Sequence, residues 1–259
     1  MFRVHRIDDL IYSSPGGRAL LADLYLPVNP PSPPATVLFL HAGGWIAGDR
    51  RRGPDLSRHF AERGLAMASI DYRLSREAIF PAALDDVVAA IGWLRKVSPE
   101  YGLDPEKIGL WGASAGGHLA ALAALSVPET RVKAVVAVYP PVDFLRMGEK
   151  SESPKSYESR FLGAPVRTVP ELVRQANPAA WVRPGAPPFL LVHGTEDTSV
   201  PAEQSEILCE ALRADRNEVT LLLLPGLDHG FLDQPSQTPP DTFDEIERFF
   251  KRHLSEPHQ

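Results

Sequence analysis

The sequence predicts an α/β protein with a mostly parallel central sheet covered by helices on both faces. Three observations carry this reading. Short apolar runs recur along the chain, helical stretches separate them, and the runs barely alternate between apolar and polar positions. Strands that fail to alternate are buried on both faces, and strands interleaved with helices build βαβ units. The first run is 19–26 (ALLADLYL), which 3–11 can pair with through the Ser-Ser-Pro-Gly-Gly turn at 13–17. The Pro-rich stretch 27–34 is a surface connection, because proline cannot donate to a ladder. Strands are then predicted at 36–40 (TVLFL), 65–70, 107–111 (KIGLW), 132–138, 189–192 (FLLV) and 219–224 (VTLLLL). Helices fall at 54–63, 81–96, 115–125, 202–214 and 241–254. In 81–96 the stripe is Leu84, Val87, Val88, Ile91 and Leu94, with Asp85 and Asp86 near the start. In 241–254 it is Phe243, Ile246, Phe249, Phe250 and Leu254, read as covering the sheet or as part of a dimer face.

The chain has 259 residues and is read as one domain, 1–259. That length buries roughly 70 to 75% of the unfolded surface without staples. Lys and Arg total 27 against 33 Asp and Glu, a net charge of -6. This speaks against nucleic acid or an anionic membrane as a partner. Cys209 is the single cysteine, so an intrachain disulfide and a Cys-rich zinc site are excluded, and it reads as a buried, inert thiol. Residues 1–10 carry no apolar signal-like segment, and no run approaches the ~18 apolar residues of a membrane span. A cytoplasmic monomer or homodimer is expected. One connection breaks the rhythm. The segment 139–188 is long, holds a polar stretch at 148–159 and a short helix near 169–175, and is read as a lid or pocket-forming insertion.

Gly112-Ala113-Ser114-Ala115-Gly116 fits G-x-S-x-G between a strand and a helix. The glycines permit a turn that a Cβ would block, and the turn lifts Ser114 to the carboxyl end of a central strand. Ser114 is the predicted nucleophile. A serine needs an imidazole to take its proton, and the imidazole needs an acid to fix its tautomer. Two late strands end at such residues. The run 189–192 leads to Asp197, and 219–224 leads to His229. Glu196, Asp228 and Asp233 are the competing acids. Of the eight histidines, His5, His253 and His258 lie near the termini and His59 on a surface helix. His118 would anchor the serine turn, and His41 and His193 read as scaffold. His229 is the predicted base.

His41-Ala42-Gly43-Gly44-Trp45 directly follows the 36–40 strand. Paired glycines there bring backbone amides close to a ligand, which suits a developing oxyanion. The amides of Gly43, Gly44 and Ala115 are predicted to form that hole. Trp45 is read either as an apolar wall of the substrate pocket or as core. No cofactor is required, and no HExxH pattern points to a metal.

These stretches together resemble the α/β-hydrolase superfamily, within it the esterases with an HGGG-type oxyanion loop. The likeness rests on 41–45, Asp71-Tyr72-Arg73-Leu74, GASAGGHL at 112–119, HGTEDTSVP at 193–201 and Asp228-His229-Gly230-Phe231. It extends to small carboxylesterases, feruloyl and acetyl-xylan esterase-like proteins, and arylformamidases. The resemblance implies Ser114 as nucleophile, Asp197 as acid and His229 as base, with Asp71 and Arg73 bracing the wall of the site. Ala42 departs from the motif, where glycine is common. Only about thirty-five residues precede the 36–40 strand, fewer than in lipase-like relatives with a front cap. The resemblance therefore implies an open pocket and hydrolysis of short-chain or small aromatic esters. An arylformamidase is the alternative with the same triad. A lipase and a non-catalytic binding protein of this fold fit less well, and GASAGG is not the G-x-G-x-x-G of a dinucleotide site.

Overall fold

The computed structural model describes residues 1–234 and 237–254. Eight strands form one sheet in the order β1-β2-β4-β3-β5-β6-β7-β8. They are β1 (Val4–Ser13), β2 (Leu20–Pro27), β3 (Thr36–Leu40), β4 (Ala66–Ile70), β5 (Ile108–Ala113), β6 (Ala134–Val138), β7 (Phe189–Gly194) and β8 (Val219–Leu224). β1 and β2 run antiparallel at one edge, while β4, β3, β5, β6, β7 and β8 are mutually parallel. The sequence reading holds for this layout, with one exception. β8 is an edge strand only partly buried, and Leu223 is exposed on it, so its unbroken run of leucines does not report burial on both faces.

The alternate side chains of each inner strand feed two cores. Leu38 and Leu40 enter one, and Val37 and Phe39 the other. The first core packs under α2 (Ala82–Val97), α3 (Ala115–Ser126) and α6 (Glu203–Ala214). The second packs under α1 (Leu56–His59) and α7 (Thr242–Leu254), where Phe60, Trp111, Phe243 and Phe250 meet. The apolar stripe of α7 therefore covers the sheet. α3 is apolar all round and buried along its length from Ala115 to Leu125, as its sequence predicts. Cys209 is buried on α6, and that burial pushes its thiol pKa up.

The segment between β6 and β7 holds two short helices, α4 (Tyr157–Leu162) and α5 (Pro170–Ala176), among single 3-10 turns. α5 falls where the sequence places a helix. α4 was not expected, since its start lies in the polar stretch. No described helix is long and apolar enough to cross a membrane.

Candidate active site

The site grows from the carboxyl ends of neighbouring parallel strands. β5 and β3 run side by side, with Gly112 opposite Leu40. α3 then crosses so closely that a Cβ on Gly116 would sit 2.0 Å from Leu40 O, and one on Gly112 would sit 2.2 Å from Gly116 backbone. Only glycine fits both positions. Between them Ser114 adopts φ 53°, ψ -119°, a conformation that costs a non-glycine residue free energy and persists because its surroundings fix it. Its amide donates to Val138 O at 2.9 Å, tying the turn to β6. The first intrahelical bond of α3 runs from His118 N to Ser114 O, so the amides of residues 115–117 precede the helical ladder.

The loop after β7 carries Asp197, whose side chain is wholly buried. Its Oδ1 accepts from the amides of Ser199 (2.9 Å) and Val200 (2.7 Å), which orients the carboxylate. Burial alone would raise its pKa. Hydrogen bonds from His193 and His229 outweigh that and hold it well below the usual carboxylate range. His193 is scaffold, as expected. Its Nδ1 lies 2.7 Å from Ser205 Oγ, and its Nε2 lies 2.9 Å from Val200 O and 3.3 Å from Asp197 Oδ2.

The loop after β8 carries His229. Its Nδ1 is 2.6 Å from Asp197 Oδ2, and its Nε2 is 3.0 Å from Ser114 Oγ. An ionised carboxylate only accepts, so the ring proton sits on Nδ1, and Nε2 is left to accept from the serine hydroxyl. Asp228 joins the two loops instead of serving as the acid. Its Oδ1 accepts from Thr198 N and His229 N, each at 2.8 Å. Glu196 is exposed and its amide donates to Leu227 O at 3.0 Å, while the side chain of Asp233 and all of His258 lie outside the described residues. His253 is not a free terminal side chain. It packs against Phe249 on α7 with ring centroids 4.6 Å apart.

The glycine loop after β3 comes to the same place. Gly43 and Gly44 have φ 134° and 59°, and Gly43 O accepts from Ile46 N and Ala47 N at 3.1 Å. A Cβ on Gly43 would collide with Ala47 O at 1.9 Å. Trp45 reconciles its two readings. It contributes to the cavity lining, yet only 2% of it is exposed. Its ring stacks on Phe161 of α4 at 4.6 Å and meets His118 and Phe144 edge-on. His41 is scaffold. It is buried, stacks on Tyr72 at 4.2 Å and pairs with Ala42 O, and burial lowers its pKa. His118 anchors more than the serine turn. Its Nε2 donates to Ala176 O at 2.7 Å, fastening the end of α5 to α3.

Asp71 and Arg73 have bracing roles and stand behind the site. Neither lines the cavity. Asp71 accepts from the Arg50 amide (2.9 Å) and Nη1 (2.8 Å), while Arg73 grips Asp86 of α2 with two nitrogens. Both brace the scaffold behind the site. Arg50 itself gathers Asp9, Asp23 and Asp71, so the chain is pinned just after the glycine loop.

Ser114, His229, Gly43 and Gly44 open into one cavity of about 710 Å³. Its far side comes from the 139–188 segment, with Tyr139, Met147, Tyr157 and Glu158 among the lining. The sequence reading missed these four. Tyr139 had a usable signal, since it directly follows β6 beside β5, and its ring lies 4.6 Å from that of His229. Among the described residues no group of three His, Cys, Asp or Glu side chains could hold a metal ion.

The parallel sheet, the strained serine between β5 and α3, and the loops after β7 and β8 define an α/β hydrolase. Comparison with known proteins narrows this. The BD-FAE family model matches residues 22–212, and the chain belongs to that family. It is 37% identical over 251 residues to the esterase LipC of Mycobacterium tuberculosis, covering 88% of this chain and 60% of LipC. The chain thus spans little more than half the length of that curated relative. Among solved structures, a truncated carbohydrate esterase from gut microbiota superposes with a TM-score of 0.86 at 25% identity, covering 98% of this chain and 97% of that one. A thermophilic esterase of Thermogutta terrifontis in propionate-bound form gives 0.77 at 26% identity, covering 100% and 97%.

Proposed function

We propose that the protein is a serine carboxylesterase acting on short-chain or small aromatic esters. The observation that carries this is the unbroken chain from Ser114 Oγ through His229 to Asp197, with contacts of 3.0 and 2.6 Å. The relatives named as esterases support the reaction class, and the propionate-bound neighbour supports a small acyl group.

In the mechanism, Ser114 attacks the ester carbonyl carbon while His229 Nε2 takes its proton. Asp197 stabilises the imidazolium without accepting a proton itself. The amides of Gly43, Gly44 and Ala115 donate to the oxyanion. The tetrahedral intermediate collapses, His229 protonates the leaving alcohol, and an acyl-enzyme remains on Ser114. Water, deprotonated by His229, attacks that ester. The resulting intermediate expels Ser114, which recovers its proton, and the acid leaves. The substrate proposed is a small neutral molecule, handled without nucleic acid or membrane partner. The 139–188 segment forms its pocket wall, and a cytoplasmic setting completes the proposal.

The test is hydrolysis of p-nitrophenyl acetate, butyrate, octanoate and palmitate by the parent and Ser114→Ala, with folding checked by circular dichroism. Acetate and butyrate should lead, and the variant should lose several orders of magnitude in kcat. A folded Ser114→Ala protein with full activity would remove the assignment. N-formylkynurenine turnover exceeding that of every ester would move the reaction to formamide hydrolysis.

A further inference from the structure

Glu158 is the unexplained polar group of the cavity. It sits in the first turn of α4, where a glutamate ordinarily points to water. Here it lines the cavity shared with Ser114 and His229, and only 7% of it is exposed. Burial raises its pKa, and hydrogen bonds from its own amide and from Ser156 only partly offset this. No cation pairs with it among the described residues, although Lys155 and Arg160 line the same cavity. A buried carboxyl group without a cation is costly, and two hydrogen bonds leave part of the acceptor capacity of its two oxygens for a ligand.

We infer that Glu158 is a specificity-determining residue that binds a hydroxyl group on a neutral ester substrate. This rests on the carboxylesterase reading and names what that site prefers. A hydroxyl suits the carboxyl group in either protonation state. It donates to the carboxylate, and it can also accept from the neutral acid. An ammonium group would suit Glu158, but Arg52, Lys155 and Arg160 line the same cavity and repel a cation. Tyr157, the preceding residue, packs its ring over Gly44, where a Cβ would lie 2.5 Å from Cδ1. The turn carrying Glu158 is therefore held against the glycine loop, in the cavity it shares with Ser114.

The experiment compares kcat/KM for matched esters with and without a hydroxyl. Glyceryl monobutyrate against propyl butyrate probes the alcohol side, and ethyl 3-hydroxybutyrate against ethyl butyrate probes the acyl side. Each pair is run with the parent, Glu158→Gln and Glu158→Leu, and folding is checked by circular dichroism. In at least one pair the parent should favour the hydroxylated ester, and Glu158→Leu should cut that preference about tenfold. Glu158→Gln should retain part of it. The pair that responds identifies the side of the scissile bond that Glu158 faces. Should both ratios stay unchanged in a folded Glu158→Leu, the inference is overturned while the esterase reading stands. Absence of Ser114-dependent turnover of all four esters would overturn the esterase reading, and this inference with it.

Discussion

The cavity has two walls that are held by different means. The wall bearing Ser114, Asp197, His229 and the glycine loop is fixed through backbone. Ser114 N is tied to Val138 O, Asp197 accepts two amides of its own turn, and at Gly43, Gly112 and Gly116 a Cβ would lie within 2.2 Å of main-chain atoms. The opposite wall, from the 139–188 segment, is held largely by side chains. Phe161 stacks on Trp45 at 4.6 Å, and the end of α5 hangs on His118 at 2.7 Å. Backbone-fixed parts tolerate almost no change and keep reacting groups in register, whereas a side-chain-packed wall can be recut without moving them. In the proposed mechanism, chemistry resides in the first wall and recognition in the second.

Gly116→Val breaks the first wall and carries the largest effect. Its Cβ has no space against Leu40 O and His41 O, and both are backbone atoms. Ester hydrolysis should fall by orders of magnitude, and urea unfolding should show a loss of about 3 kcal/mol or more. Wild-type activity from this variant would refute a backbone-fixed turn.

Phe161→Ala tests the second wall. Removing a fully packed ring costs about 3 to 5 kcal/mol, and the ring meets Trp45, Phe80 and His118. The comparison predicts a raised KM with kcat lowered less than tenfold. A collapse of kcat with unchanged KM would mean that the two walls are not separable.

His118→Gln gives a smaller, pH-dependent effect. Burial lowers the His118 pKa from 6.5 to about 4, against the opposing hydrogen bond to Ala176. Below pH 6.5 the unfolded chain takes up this proton while the folded one does not until about 4. Stability from this group is full above pH 6.5 and falls as pH drops toward 4, by about 3 kcal/mol in all. Urea midpoints measured from pH 7 to 4 should therefore decline less steeply in His118→Gln. Equal slopes would show that His118 is not buried neutral between α3 and α5.

The first wall was legible residue by residue in the sequence, while of the second only the 139–188 segment as a whole was, for physical reasons. Ser114, Asp197 and His229 each follow a short apolar run, and a parallel sheet brings the ends of such runs to one edge. Glycines near those ends mark close backbone approach. α4 gave no comparable signal, since six residues are too few for helical periodicity and its start is polar. Tyr157 and Glu158 gain their place only from packing against Gly44. The Arg50 cluster was hidden too. Asp9, Asp23 and Asp71 share no local spacing and meet only because β1, β2 and β4 are neighbours. β8 misled in the opposite direction, because a leucine-rich run reads as buried whether or not another strand covers its edge.

In the proposed mechanism Ser114 forms the covalent intermediate. The most direct test is to treat the protein with paraoxon, record intact mass and map the modified peptide. One diethylphosphoryl group is expected, on Ser114, with loss of butyrate ester hydrolysis in proportion to labelling, and no rapid labelling of His229→Ala. Stoichiometric labelling elsewhere, or full ester hydrolysis after complete modification of Ser114, would contradict that mechanism.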